Sequence, residues 1–331
     1  MCGNEKYKAR IKGIGSYVPE KILTNSDLEK FVDTSEEWIF SRSGIKERHI
    51  AADSQASSSL GVEAAKRAIE DAGIEAGEID LIISASITPD MIFPATACII
   101  QNKLGLKDVA AFDLNAACTG FVYGLTVAES LLKSGNFKTA LVVGTEALSK
   151  ITNWKDRSTC VLLGDGAGAA VVKMEEGESG MLASYLDADG SYAHLLLMPA
   201  GGSAMPATVE TVNGNLHCFT MSGNETFKVA VPKLYISAME GLRRSGLKVE
   251  DIDLFVPHQA NIRIIQAVAK KLGVPMEKMY VNIQKYGNTS AATIPIALDE
   301  AKREGKLKEG DLIEIIAFGA GFTWGSCVIR W

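Results

Sequence analysis

The sequence predicts an α/β protein with largely parallel sheets, built from two similar halves. Three observations carry this prediction. Apolar runs of strand length alternate with longer stretches of helical period. A block of residues recurs at a nearly constant offset. The chain has 331 residues, about twice a typical domain of ~150.

The elements follow in order. Residues 11–18 read as a first strand closed by Pro19. Thr24-Asn25-Ser26-Asp27 starts a short helix, and Ser35-Glu36-Glu37 starts another that ends near Gly44. Leu60, Ala64, Ala68 and Ala72 line one face of a helix over 57–72, stopped by Gly73. Residues 81–86 form a buried strand, and 109–114 another. After the second strand, Phe121, Val122, Leu125, Ala128, Leu131 and Leu132 recur at helical steps until Gly135. A strand at 140–144 follows.

The second half repeats the first. Ala72-Gly73-Ile74 and Glu78-Ile79-Asp80-Leu81 match Ser245-Gly246-Leu247 and Asp251-Ile252-Asp253-Leu254 at an offset of 173. Lys103-Leu104-Gly105 matches Lys271-Leu272-Gly273 at 168. Helices ending at Gly135 and Gly305 give 170, the spacing that also pairs Cys118 with Asn288. Two such halves can aim both helix starts at one cleft. The boundary falls in the polar stretch around Glu178, giving units 1–178 and 179–331. The Gly/Pro-rich stretch 199–215 reads as a surface excursion or an interface loop.

An apolar fraction of 47% is ample for a large core. The formal charge of −6 argues against a general nucleic-acid binder but leaves room for a local basic patch. No apolar run is long enough to span a membrane, and the first ten residues hold no signal-peptide core. The six cysteines are scattered without CxxC or Cys/His clusters, so free thiols, a cytoplasmic setting and no metal site are expected, with Cys2 in an exposed tail.

Chemistry concentrates at a few turns. Cys118, in Asn115-Ala116-Ala117-Cys118-Thr119-Gly120, lies on a strand-to-helix turn among small residues. It is a nucleophile presented at a helix start or a packed core thiol. His258 follows a strand end, where active-site residues of α/β sheets gather. Asn288, in Gly287-Asn288-Thr289-Ser290, is an N-cap or an amide aimed into the cleft. Gly319-Ala320-Gly321 offers backbone N–H groups to an oxyanion, or is a close-packing turn. The GxGxxA-like run at 164–169 precedes a strand instead of a helix, so a dinucleotide site is rejected.

Together, the Cys118 motif, Pro257-His258-Gln259-Ala260-Asn261, Gly287-Asn288-Thr289-Ser290 and Phe322-Thr323-Trp324-Gly325 resemble the 3-oxoacyl-[acyl-carrier-protein] synthase III family. Flanking stretches agree, among them 32–39, Ser43-Gly44-Ile45 and 164–168. The resemblance implies a thiolase-like fold, duplicated halves in a five-layer αβαβα sandwich, and a homodimer. It implies a Cys118, His258 and Asn288 triad, with an oxyanion hole from the N–H groups of Cys118 and Ala320. The family often has glycine where Ala320 stands, and alanine supplies the same N–H if its φ is negative.

The implied reaction is priming of fatty acid biosynthesis. Cys118 takes an acyl group from a short acyl-CoA. Malonyl-acyl carrier protein then loses CO2, and its enolate attacks the acyl-cysteine, with His258 and Asn288 donating hydrogen bonds to the enolate oxygen. No cofactor is implied, since the CoA thioester is a substrate. Trp38 and Arg157 would sandwich the adenine and Arg42 hold the nucleotide end, while Gly223, Asn224, Phe227 and Asn261 line the pantetheine tunnel. Phe93 would close the partner's acyl pocket. Gln259, Ala260, Asn261, Ile262 and Arg263, with Lys228, Lys270 and Lys271, would meet the acyl carrier protein; the bland alternative is a solvated charged face. Readings that keep the fold are a polyketide- or quinolone-type condensing enzyme using CoA extenders, and a silent partner subunit. A helix terminus contributes only about 0.3–1 kcal/mol, less than one unit of the thiol pKa of ~8.5, so Cys118 needs further activation.

Overall fold

The repeat read in the sequence is a repeat of backbone. The computed structural model describes residues 6–331, and Cys2 lies outside them. The first half runs β1 (Tyr7–Tyr17), β2 (Lys21–Thr24), α1 (Asn25–Leu28), α2 (Glu36–Ser43), β3 (Glu47–Ile50), α3 (Ser57–Ala72), β4 (Leu81–Ala85), α4 (Thr96–Lys103), β5 (Ala110–Leu114), α5 (Gly120–Lys133), β6 (Thr139–Glu146), α6 (Arg157–Cys160) and β7 (Gly166–Glu176). The second runs β8 (Gly180–Ala188), β9 (Leu196–Leu197), α7 (Val209–Asn213), β10 (Thr220–Met221), α8 (Gly223–Ser245), β11 (Leu254–Pro257), α9 (Ile262–Leu272), α10 (Ile283–Tyr286), α11 (Thr293–Arg303), β12 (Leu312–Gly319) and β13 (Thr323–Arg330).

The local signals act where the sequence put them. Thr24 and Ser35 cap α1 and α2 by accepting backbone N–H bonds, and Gly44 and Gly73 end α2 and α3 in the left-handed conformation. The first sheet has the order β1-β7-β6-β4-β5, the second β11-β12-β13-β8. Strand directions correspond: β4 and β6 are parallel, as are β11 and β12, while β7 and β1 return antiparallel, as do β13 and β8. A parallel bridge from Phe255 to Met279 stands where the first sheet has β5.

Five layers result. Helix α3 covers the outer face of the first sheet, α5 and α11 lie between the sheets, and α8 and α9 cover the second sheet. Central burial explains why α5 is apolar nearly all round. Phe121, Val122 and Leu125 are fully buried there, each worth about 1.5–3 kcal/mol.

Two expectations change. The strand expected to be buried, β5, is a half-exposed edge of the first sheet, because within this chain it has a neighbour on one side only. The pairing of Cys118 with Asn288 shifts by three residues. Helices α5 and α11 begin 173 positions apart, at 120 and 293, but α11 has 11 residues and α5 has 14, so their ends fall 170 apart. The backbone counterpart of Asn288 is Asn115, and that of Cys118 is Ala291. The 199–215 stretch is a mostly exposed excursion carrying α7.

Candidate active site

Two turns of the same shape build the site. Strand β5 ends at Leu114, and the Asn115 side chain accepts the Ala117 N–H at 3.3 Å. Ala117 then takes a left-handed φ of 47°, and a single 3-10 turn carries Cys118 into α5. In the second half the Asn288 side chain accepts the Ser290 N–H at 2.8 Å, Ser290 has φ 48°, and a 3-10 turn leads into α11. The second sheet clasps the cysteine turn: Thr323 Oγ1 donates to Ala116 O at 2.9 Å, and Thr119 Oγ1 donates to Thr323 O at 3.2 Å.

A cavity of about 570 Å³ is lined by Cys118, His258 and Asn288 together. The motifs that carry them are far apart in the chain, and the meeting of the two halves joins them. Asn288 braces its turn and lines the cavity at once. A backbone N–H must be met by Oδ1, so its amide nitrogen is left for a ligand.

His258 is buried at the end of β11, and burial pushes its imidazole down to about 3, so the ring is neutral. Its Nδ1 lies 2.7 Å from Thr293 Oγ1, and that hydroxyl lies 3.0 Å from Ser290 O. A carbonyl only accepts, so the Thr293 proton goes to Ser290 O. The Nδ1–H then donates to Thr293, and Nε2 carries a lone pair. Burial pushes the Cys118 thiol up to about 12, opposed by the nearby Ser290 hydroxyl and reinforced by the Glu146 charge. No resident thiolate results, in line with the small size of the helix-terminus effect.

Among the residues expected at the oxyanion, Gly319 is the one packed on the Cys118 turn: a Cβ there would stand 2.7 Å from Cys118 N. Ala320 follows it and is not among the residues with positive φ. The predicted nucleotide and tunnel residues Trp38, Arg42, Gly223, Asn224, Phe227 and Asn261 all line the cavity. The gap expected beside Trp38 for an adenine is closed in this structure. Arg157 lies 4.9 Å and Arg42 4.6 Å from the Trp38 ring centroid, distances of direct cation–π contact with no room for a base between. Phe93 is 83% exposed and lies away from the cavity of its own chain.

On the expected carrier-protein face, Arg263, Lys228, Lys270 and Lys271 are exposed, and Ala260, Asn261 and Ile262 are half-buried. Gln259 is a correction. It is 1% exposed, its amide donates to Pro257 O and Tyr280 O, and its Oε1 accepts from Asn282 N and Ile283 N. Its task is to brace the loop under His258, and it offers no surface.

Sequence reasoning missed Glu146, Ser290 and Thr293. Glu146 had a signal: the one charged side chain of a mostly apolar strand, at its C-terminal end, where α/β sites cluster. The five described cysteines are free, and no group of three or more metal-ligating side chains gathers among the described residues. Among the described residues no helix is long and apolar enough to cross a membrane.

The layered, doubled scaffold with a cysteine, an imidazole and a carboxamide around one cavity defines a condensing enzyme of the thiolase fold. The models for "3-Oxoacyl-[acyl-carrier-protein (ACP)] synthase III" and its C-terminal part match residues 112–190 and 242–331. The chain is similar to beta-ketoacyl-[acyl-carrier-protein] synthase III of Caldanaerobacter subterraneus subsp. tengcongensis, 57% identical over 331 residues, covering 100% of this chain and 99% of that one. Its fold is similar to the crystal structure of 3-oxoacyl-[acyl-carrier-protein] synthase III from Aquifex aeolicus VF5, with TM-score 0.91, 50% identity and coverage of 98% and 100% of the two chains. The counterpart from Pseudomonas aeruginosa PAO1 has TM-score 0.91, 42% identity and coverage of 98% of each. The chain belongs to the 3-oxoacyl-[acyl-carrier-protein] synthase III family. It is an acyltransferase that catalyses the decarboxylative condensation of a short acyl-CoA with malonyl-acyl carrier protein, the priming step of fatty acid biosynthesis.

Proposed function

We propose that Cys118 carries the acyl group in this reaction and that Asn288 and His258 act on the malonyl thioester. The supporting observation is that three residues from distant motifs line one cavity with Trp38 and Arg42. The S–acyl bond of acyl-CoA breaks as the Cys118 S–acyl bond forms, and CoA leaves. Malonyl-acyl carrier protein then loses CO2, so no strong base is needed to make the carbanion. The Asn288 amide nitrogen donates to the enolate oxygen in a water-poor site. For His258 to donate at Nε2, its ring proton must move from Nδ1 to Nε2 and the Thr293 hydroxyl turn from Ser290 O to Nδ1, at a cost of about one hydrogen bond, ~0.5–1.5 kcal/mol. The N–H groups of Cys118 and Ala320 hold the tetrahedral oxyanion. No cofactor enters this scheme.

The same reading assigns the CoA nucleotide to Trp38, Arg42 and Arg157, and the carrier protein to Arg263, Lys228, Lys270 and Lys271. The adenine enters by displacing one arginine from the Trp38 ring and stacking in its place. Arg263 lines the cavity and is exposed, a suitable place to meet an acidic carrier whose prosthetic arm must enter. The half-exposed β5 edge and the exposed Phe93 fit a homodimer in a cytoplasmic enzyme. Incubation with radiolabelled acetyl-CoA tests the core of the reading. Label should map to Cys118 and vanish in Cys118→Ala, and malonyl-carrier protein should discharge it where malonyl-CoA does not. Label on another residue, or equal discharge by malonyl-CoA, would refute it.

A further inference from the structure

Glu146 ends β6 where the matching strand β12 ends in Gly319. Its side chain is fully buried, and among the described residues no lysine or arginine pairs with it. Its carboxylate instead accepts from Thr88 Oγ1 at 2.7 Å, from Ser86 Oγ and Ile87 N at 3.2 Å, and from Ala291 N at 3.5 Å. The Ala291 N–H is the counterpart of the Cys118 N–H. Gly319 leaves the front of the Cys118 amide open, and Glu146 fills the equivalent place in the other turn. A buried carboxylate without a cation is costly, which calls for a use. Beside it, the turn that carries Ser290 packs on both the Cys118 turn and β6, and its hydroxyl lines the cavity near Cys118 and has no formed hydrogen bond of its own.

We propose that Ser290 and Glu146 form a proton path for Cys118, with Glu146 a positioning residue that stores the thiol proton between the two half-reactions. This rests on the reading of Cys118 as the acyl carrier. As the sulfur attacks, its proton passes to Ser290 Oγ while the Ser290 proton passes to a Glu146 oxygen. The C–S bond of acyl-CoA breaks, and CoA leaves as a thiolate that solvent protonates. In condensation the enolate carbon bonds to the acyl carbon and the Cys118 C–S bond breaks. The expelled thiolate recovers its proton from Glu146 through Ser290.

The electrostatics fit this division of work. A thiol near 12 needs an acceptor, and an imidazole near 3 is a poor one. Burial pushes the Glu146 carboxyl up to about 7, matched to neutral pH. The titratable group beside it is Cys118 from the α5 turn. The groups that hydrogen-bond it, the Ser86 and Thr88 hydroxyls and the Ile87 and Ala291 N–H groups, do not titrate in this range. Asp165 before β7 is held by Ala51 N and Ser149, and Asp90 by Ser58.

The test is the rate of CoA release from acetyl-CoA, from about pH 5.5 to about 9, in the wild type, Glu146→Gln and Ser290→Ala, with the acyl site mapped. Ser290→Ala is safe for the fold, because Ala117 already holds φ 47° in the matching turn. Glu146 must be ionised to accept, so the wild-type rate should rise with pH through about 7 and then level. Both variants should lose that limb and fall on the order of 10²-fold at neutral pH, while still acylating Cys118. A folded Ser290→Ala protein with the wild-type rate and pH profile would overturn the path alone. Acyl label off Cys118 in the wild type would overturn the reading beneath it.

Discussion

Gly319→Ala probes how the second half shapes the nucleophile. A Cβ at 319 would stand 2.7 Å from Cys118 N, 3.0 Å from Thr119 N and 3.1 Å from Ala116 O. All three are backbone atoms, and ordinary contact begins at 3.4 Å, so the cysteine turn and β12 must part by about 0.7 Å. The Thr323 bonds to this turn resist that movement. Overpacking of this kind costs about 1–3 kcal/mol. For a chain of this length that lowers Tm by roughly 2–4 °C. The effect on chemistry should be larger, because misplacing the reacting atom by a fraction of an ångström to 1 Å costs on the order of 10²-fold in rate. Stopped-flow release of CoA from acetyl-CoA gives the loading rate, and differential scanning fluorimetry gives Tm. Gly77→Ala, where a Cβ meets nothing within 4 Å, is the control. A folded Gly319→Ala enzyme that loads at the wild-type rate would refute the claim that β12 sets the Cys118 geometry.

Further outcomes are expected. Asn288→Ala should load acetyl groups normally but lose malonyl decarboxylation by about 10²–10³-fold, read as labelled CO2 release; the reverse pattern would reassign the amide. Arg263→Glu should raise the KM for malonyl-carrier protein about tenfold at low salt, and less at high salt, with acetyl-CoA loading nearly unchanged; equal losses in both would count against docking there. Glu314 is buried beside Ser326 with neither oxygen in a formed hydrogen bond, and burial pushes its carboxyl well above 4.5. A raised folded-state pKa gives stability that is present below the unfolded value and lost as pH rises. Glu314→Gln should therefore raise Tm at about pH 8 and change it little at about pH 5, an outcome that thermal melts at the two pH values decide.

The fold was legible where local chemistry and repetition agreed. Helix α3 spans 57–72 as its alanine stripe and Gly73 require, and β4 and β11 stand at the offset of 173. The exposure of β5 was not legible, since an apolar run looks alike whether this chain or another covers it. The three-residue slip between Cys118 and Asn288 arose because matching helix ends stood in for helix starts, and one helix is about a turn shorter. At the site, the meeting of Cys118, His258 and Asn288 at one cavity was readable from motif and position. Gln259 was misread because it was grouped with the exposed Arg263 four residues on, while its own side chain turns inward to four backbone groups. Glu146, Ser290 and Thr293 become meaningful only through partners that sequence distance hides.

The paired asparagine-braced turns have a consequence for how this catalyst is asymmetric. Its main chain offers two equivalent workbenches, and the choice between them is made by what stands in front of each amide, a hydrogen atom at Gly319 or a carboxylate at Glu146. One bench presents the Cys118 thiol to the cavity, while the other is furnished with the Asn288 carboxamide and the Ser290 hydroxyl.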